Sequence, residues 1–233
     1  RVLFRSVVEG AGLIAEALGA GLRVVEEFVA FGAQAISAAT VHVVEAETIE
    51  RAVSTVAPQP NVAIVEMPTN AHLPADGSAW VLVADRIQDP GNLGTMIRSA
   101  VAAGAAAVVS TPGSVDFWSP KVVRASAGAL FHVSCHGDVD LPRVAEAGFK
   151  LVGTSSHDRS GVIAYDAFDF TGRVGLVMGN ESAGLPSDAP MAAWVTVPHA
   201  GPVESLNVAM ATTVVSFEIA RQRNLRAPGE RGK

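Results

Sequence analysis

"WVLVADRIQDPGNLGTMIRSA", residues 80–100, passes from a strand to a helix within one short turn, and that transition decides how the rest of the chain is read. Trp80 to Ala84 is a continuous apolar run of strand length. "DPGN" at 89–92 has turn chemistry, and Asn92 is a good N-cap for a helix running to Ala103. On that helix Ile97, Ala100, Val101 and Gly104 fall on one face, so Arg98 points beside that face or away from it. Two readings of Arg98 stay open: a solvated helix residue, or a cation held over a reaction near a strand end.

Outward from this stretch the same grammar recurs. "AAAVVS" (105–110), "ALFHVS" (129–134), "KLVGTSS" (150–156), "VGLVMG" (174–179) and "AWVTVP" (193–198) are short, mostly β-branched runs separated by helix-like or turn-rich sequence. Strands that are apolar on both faces suit a parallel sheet covered by helices. Residues 79–226 are therefore expected to form an α/β domain, with helices at 92–103, 119–128, 140–147 and 204–223. Ahead of it, residues 1–68 read as a smaller α/β unit. In that unit "LFRSVVEG", "LRVVEEFVAF" and "NVAIVEM" are strands, "GLIAEALGAG" is a helix ended by glycine, and "SAATVHVVEAETIERAVS" (37–54) has a helical pattern. Residues 69–78, inside the polar "PTNAHLPADGSA", are the expected linker, and 227–233 a flexible tail.

The 233 residues are 49% hydrophobic and 17% charged, a balance that excludes a disordered chain and allows a sizeable core. Gly, Pro or charge interrupts every apolar segment before it reaches membrane-spanning length, so no membrane partner is expected. "RVLFRSVVEG" lacks a secretory pattern and the single Cys135 offers no intrachain disulfide; both lead to the expectation of a cytoplasmic protein. The formal net charge of −6 runs against the basic surface usual in nucleic-acid binders, which makes any such role depend on a local cluster.

Three constellations place small and polar residues after expected strands: "DPGNLGTMIRSA", "GLVMGNESAGL" (175–185) and "VTVPHAGPVESLNVAMATTVVSFEIARQR" (195–223). That edge is where open α/β sheets bind ligands. Neither a dinucleotide fingerprint nor a phosphate loop is present. His132, Cys135, His136 and Asp138 are a thin basis for a metal site, and none is expected. Ser182 lacks a nucleophile elbow, and Ser205 reads more simply as an early helix residue. Spacing alone leaves Glu181 open between a capping carboxylate and a site residue.

Taken together, "DRIQDPGNLGTMIRSA", "LVMGNESAGL" and "VPHAGPVESLNVAMATTVVSFEIARQR" resemble the three signature motifs of the SpoU, or TrmH-like, branch of the SPOUT RNA methyltransferases. "WSPKVVRASAGALFHV" is similar to the family's second helix region, and "FRSVVEGAGLIAEALGAG" resembles the small ribosomal-protein-like RNA-recognition domain that precedes many members. The resemblance implies a trefoil-knotted α/β domain, S-adenosylmethionine as methyl donor and a homodimer. It also implies transfer to a ribose 2'-hydroxyl of rRNA or tRNA, rRNA being favoured. A silent RNA-binding protein and a small-molecule methyltransferase are the alternatives.

Motif by motif, the resemblance gives site roles to Asn92 and the catalytic arginine Arg98, to Gly179 and Glu181, and to Ser205 and Asn207. It implicates Leu176, Gly179, Asn180, Val197 and Leu206 in holding the cofactor, with Gly201 keeping the loop open. His199 stands where many members carry methionine. A guanidinium keeps its charge, so Arg98 is expected to clamp phosphate and stabilise a developing oxyanion; deprotonation by Arg98 is the family's proposed alternative. Lys121 and Arg124, three apart, are expected to share a helix face near RNA phosphate. Arg1, Arg5, Arg23, Arg221, Arg223, Arg226 and Arg231 are candidates for ends or interfaces.

Overall fold

The computed structural model describes residues 4–53, 55–69, 72–155, 160–202 and 205–223. The expected tail at 227–233, with Arg1, Arg226 and Arg231, lies outside the described residues.

The larger sheet is built from β5 (Trp80–Ala84), β6 (Ala107–Ser110), β7 (Ser134–His136), β8 (Lys150–Thr154), β9 (Ile163–Ala164), β10 (Val174–Met178) and β11 (Ala193–Thr196). Every pairing is parallel, in the order β7-β6-β5-β10-β8-β11-β9. All five residues of β5 are buried, and they divide by parity. Trp80, Leu82 and Ala84 join one core cluster, while Val81 and Val83 join another with Val144 and Phe149 on the opposite face. Burial on both faces is what makes the strand a continuous apolar run.

Helix α3 (Pro90–Ala102) begins earlier than expected, and Asn92 is not its cap. Asp89 is: its carboxylate accepts the Asn92 backbone N–H at 2.7 Å, and Pro90 fills the first helical position, where no N–H is needed. The correction matters, because it frees the Asn92 side chain. Helix α4 (Pro120–Ala125), capped by Ser119, is shorter than 119–128 because Ala127 and Gly128 turn the backbone left-handed. "ALFHVS" is not one strand: Ala129–His132 form a 3-10 turn, and β7 starts at Ser134. Helix α5 is Leu141–Glu146, and α6 is Val208–Gln222 with Asn207 as its cap, so Ser205 precedes the helix instead of opening it. The α3 and α6 helices pack side by side, with the Ser99 and Thr213 hydroxyls 2.7 Å apart.

The smaller sheet has β1 (Arg5–Glu9), β2 (Val24–Ala30), β3 (Thr40–Val44) and β4 (Asn61–Glu66) in the order β1-β4-β2-β3, with helices α1 (Ala11–Gly19) and α2 (Ala46–Ala52). Only the second half of 37–54 is helical; the first half, "TVHVV", is the edge strand β3. Its β-branched residues pair in parallel with β2, and that tertiary pairing overrides the helical reading. Burial pushes the Glu27 carboxyl up, but hydrogen bonds from the Ser37 hydroxyl, the Ile36 and Ser37 amides and the Asn61 side chain outweigh it and hold it below the usual carboxylate range. Those bonds tie the turn after β2 to the sheet.

The two sheets are not separately cored. Val8, Ile14, Ala17 and Val65 belong to the same buried cluster as Phe117, Val122 and Leu130. Polar contacts line the seam: Ser6 Oγ donates to the Trp118 carbonyl at 2.7 Å, Arg124 Nη1 to Glu9 Oε2 at 3.3 Å, and His132 Nε2 lies 2.6 Å from Glu16 Oε1. The segment expected as a linker is fastened too, since Arg173 donates to the Pro74 and Asp76 carbonyls and Arg223 to that of Ser78.

Candidate active site

Three chain segments leave the C-terminal ends of β5, β10 and β11 and meet there. After β10 the chain folds into a closed turn. Gly179 allows it: a Cβ there would sit 2.6 Å from the Leu185 nitrogen and 2.7 Å from the Gly184 carbonyl carbon, both backbone atoms that cannot give way. Asn180 then builds the turn, its Oδ1 accepting from the Ser182 and Ala183 amides at 3.0 and 2.9 Å while its own carbonyl accepts from Gly184 N at 2.9 Å. Glu181 stands on that turn.

A chain of hydrogen bonds joins the three segments. Asn92 Nδ2 donates to Glu181 Oε1 at 3.1 Å, and Asn207 Nδ2 donates to Asn92 Oδ1 at 3.1 Å. Its polarity follows from α6. Asn207 Oδ1 caps that helix by accepting from the Ala209 and Met210 amides at 2.9 and 3.3 Å, so its Nδ2 must face Asn92. Asn92 must then present oxygen to Asn207 and nitrogen to Glu181. Glu181 is left as the terminal acceptor, the role of an ionised carboxylate.

Behind Glu181 lies a cavity of about 580 Å³, walled by residues 178–185, by Thr154, Ser155 and Trp194 from the neighbouring strand ends, and by Val197, His199, Ser205, Leu206, Val208 and Ala211. Gly179, Asn180, Val197 and Leu206, expected at the cofactor, line this wall, as do Glu181 and Ser205. Asn92 and Asn207 join it through hydrogen bonds to Glu181 and to each other. Leu176 is fully buried mid-strand in the core, and Gly201 is exposed outside the wall. His199 faces the cavity with Nδ1 3.2 Å from the Val197 carbonyl.

Arg98 is exposed on α3, between buried Ile97 and Ser99, outside the cavity wall and without a hydrogen-bonding or ionic partner among the described residues. Lys121 is exposed on α4, whereas Arg124 is half-buried and held by Glu9. Met178, Thr154, Ser155 and Trp194 were not expected in the site; their signal is position, at or just past the ends of β10, β8 and near that of β11. Among the described residues no three His, Cys, Asp or Glu side chains gather as a metal site would require. His132 pairs with Glu16, while burial pushes the Cys135 thiol up and the His136 imidazole down. No helix among the described residues is long and apolar enough to cross a membrane.

The model of the SpoU rRNA methylase family matches residues 79–217. The chain belongs to that family. It is 38% identical over 185 residues to the 23S rRNA (uridine(2479)-2'-O)-methyltransferase of Streptomyces viridochromogenes, covering 72% of this chain and 62% of that protein. It is 37% identical over 155 residues to the 23S rRNA (guanosine-2'-O-)-methyltransferase RlmB of Xanthomonas campestris, covering 64% of this chain and 61% of the relative. The match thus spans about three-fifths of each relative's length. Among solved structures, the SpoU methyltransferase AviRb of Streptomyces viridochromogenes in complex with AdoMet superposes with a TM-score of 0.85 at 28% identity, over 96% of this chain and 92% of that one. The parallel α/β sheet is that of SpoU methyltransferase structures.

Proposed function

We propose that this SpoU-family chain is an S-adenosylmethionine-dependent RNA methyltransferase that modifies a ribose 2'-hydroxyl of ribosomal RNA. The observation that carries the reading is the Glu181–Asn92–Asn207 chain, which draws the three motif segments together at the rim of one cavity. The residues present suit the cofactor. The volume, about 580 Å³, falls within the ~300–1,000 Å³ of small-molecule sites. Its wall joins close-packed backbone at Gly179 with apolar Met178, Trp194, Val197 and Leu206 and the carboxylate of Glu181, a donor set matched to a cationic nucleoside. When bound, the cofactor supplies an electrophilic methyl group.

The protein's own task is to orient the hydroxyl and to stabilise its oxygen as the proton leaves. Arg98, unpartnered among the described residues and permanently charged, is suited to clamp an RNA phosphate and stabilise that oxygen. Asn92, Asn207 and Ser205 hold the rim, and Glu181 keeps the α3 and α6 ends in register with the turn after β10. Exposed Lys121 extends the basic edge; Arg124, tied to Glu9, reaches RNA only from the seam. Exposed Met210 and Phe217 on α6 support a homodimer through that helix. The position of β10 between the earlier strands β5 and β8, followed by packing of α6 on α3, supports the threaded, knotted chain the resemblance implies. The four-stranded sheet is proposed as the RNA-recognition domain of 1–68, and the cytoplasm, where ribosomal RNA is modified, as the site of action.

The test is incubation of unmodified ribosomal RNA with labelled S-adenosylmethionine, followed by nucleoside analysis. A 2'-O-methylated nucleoside is expected, and product only on a base would overturn the assignment. Arg98→Ala should keep cofactor affinity and lower single-turnover transfer by at least about a hundredfold, the scale for loss of a positioned charge. Transfer at the native rate would remove Arg98 from the reaction centre.

A further inference from the structure

Arg86 stands two residues past the end of β5, and its φ of 54° places a non-glycine residue in left-handed backbone. Such a position favours glycine and persists where the surroundings fix it from several sides. Here they do. The Arg86 amide donates to Thr111 Oγ1 at 3.0 Å, at the end of β6. Its carbonyl accepts from Asn180 Nδ2 at 2.9 Å, and its guanidinium donates to Asp85 Oδ2 at 3.0 and 2.9 Å and to the Gly184 carbonyl at 3.2 Å. Asp85, almost wholly buried, is held in turn by Thr111 Oγ1 at 2.9 Å on its other oxygen.

These bonds reach the turn after β10 at both ends. Asn180 is its first residue and Gly184 its last, and the two are bridged to each other. Glu181 stands between them. Arg86 is absent from the cavity wall and lines a separate hollow of about 390 Å³ behind the turn, with Asp85, Thr111 and Asp188. It holds the turn at Asn180 and Gly184 without lining the proposed cofactor cavity.

We propose that Arg86 is a positioning residue: through its left-handed carbonyl and its guanidinium it fixes the 180–184 turn, and thereby sets the Glu181 carboxylate against Asn92. The proposal rests on the methyltransferase reading for its functional consequence, and on geometry alone for its structural one. A planar fork held by Asp85 can present one N–H to Gly184 without freedom to swing, which a lysine ammonium cannot reproduce.

The test compares Arg86→Gly, which keeps the left-handed backbone and the carbonyl acceptor, with Arg86→Lys, which keeps the charge. Hydrogen exchange on the native protein and both variants reads the turn directly. Faster exchange at the Ser182 and Ala183 amides, larger than any general rise across the sheet that the loss of the Asp85 partner brings, is expected in both variants. Calorimetry with S-adenosylmethionine should give binding weakened by about tenfold in Arg86→Gly, the order expected when a preformed turn must be ordered on binding. In a Glu181→Gln background the same substitution should lower methyl transfer by less than about twofold further, because residues acting through one another are not additive. Unchanged exchange and affinity in the folded variants, or fully additive losses in the double variant, would overturn the proposal. Failure of the native protein to bind S-adenosylmethionine would instead overturn the functional reading, and the exchange result would then decide the positioning role alone.

Discussion

Asn92→Asp changes the chemistry of one atom in the hydrogen-bond chain and almost none of its volume. The aspartate keeps the bond from Asn207, but sets a carboxylate oxygen against Glu181 Oε1, where the native donor stands at 3.1 Å. Two unit charges at that separation repel by roughly 1 to 5 kcal/mol between the dielectric of water and that of a protein surface. Glu181 is exposed, which selects the lower part of that range, about 2 kcal/mol. The sign follows: in acid, where one of the two carboxylates carries a proton, the repulsion is absent. The penalty grows with pH as both groups ionise and is complete near neutrality. Urea unfolding of the native and variant proteins at pH values from 4 to 8 reads it directly. The variant's deficit should widen by about 2 kcal/mol across that window. A deficit that does not change with pH would refute the deduced polarity, with Asn92 as donor and Glu181 as ionised acceptor.

Gly94→Ala should destabilise the fold by about 1–3 kcal/mol, because the added Cβ would fall 2.4 Å from Ala125 Cβ and 2.6 Å from its carbonyl carbon, forcing α3 and α4 apart; an unchanged melting temperature would refute so close an approach. Glu27→Gln should cost about 2 kcal/mol at neutral pH by removing a buried ionised acceptor. Since the folded pKa of Glu27 is depressed, its contribution is present above the unfolded value of about 4.3 and disappears as pH falls through the lower folded value. Chemical denaturation should therefore give a constant deficit from pH 5 to 8 that narrows in acid, and a deficit that widens in acid would contradict the assignment.

The strands β5, β6 and β10 are legible because burial on both faces writes them as nearly unbroken apolar runs, and β8 and β11 because a shorter apolar stretch survives at 151–152 and 193–195. Where burial is one-sided or the element very short, the local pattern misleads. Edge strand β3 reads as helix beside the true helix α2, and two-residue β9 has no period to detect. Asn92 passed for a cap because two residues with good capping side chains stand three apart, and Pro90 gives the place to Asp89. The candidates Asn92, Glu181 and Asn207 come from the family resemblance, but their hydrogen-bond order does not, since it depends on which helix end holds the Asn207 oxygen. The Arg86 contacts span 94 and 98 residues of sequence, a separation at which no local pattern survives.

The common core under the two sheets has a geometric consequence. A recognition module on a free tether can search a large volume, and it adds affinity while leaving the reacting position to the catalytic unit. Here the small sheet shares packed side chains with α4 and the turn after it, and Arg173 and Arg223 hold the connecting segment at Pro74, Asp76 and Ser78. The two surfaces act as the fixed jaws of a caliper. On the proposed reading, an RNA that touches both presents to Glu181 the nucleotide lying one set distance from the recognised element, so that target choice is made by length along a folded RNA as much as by its bases.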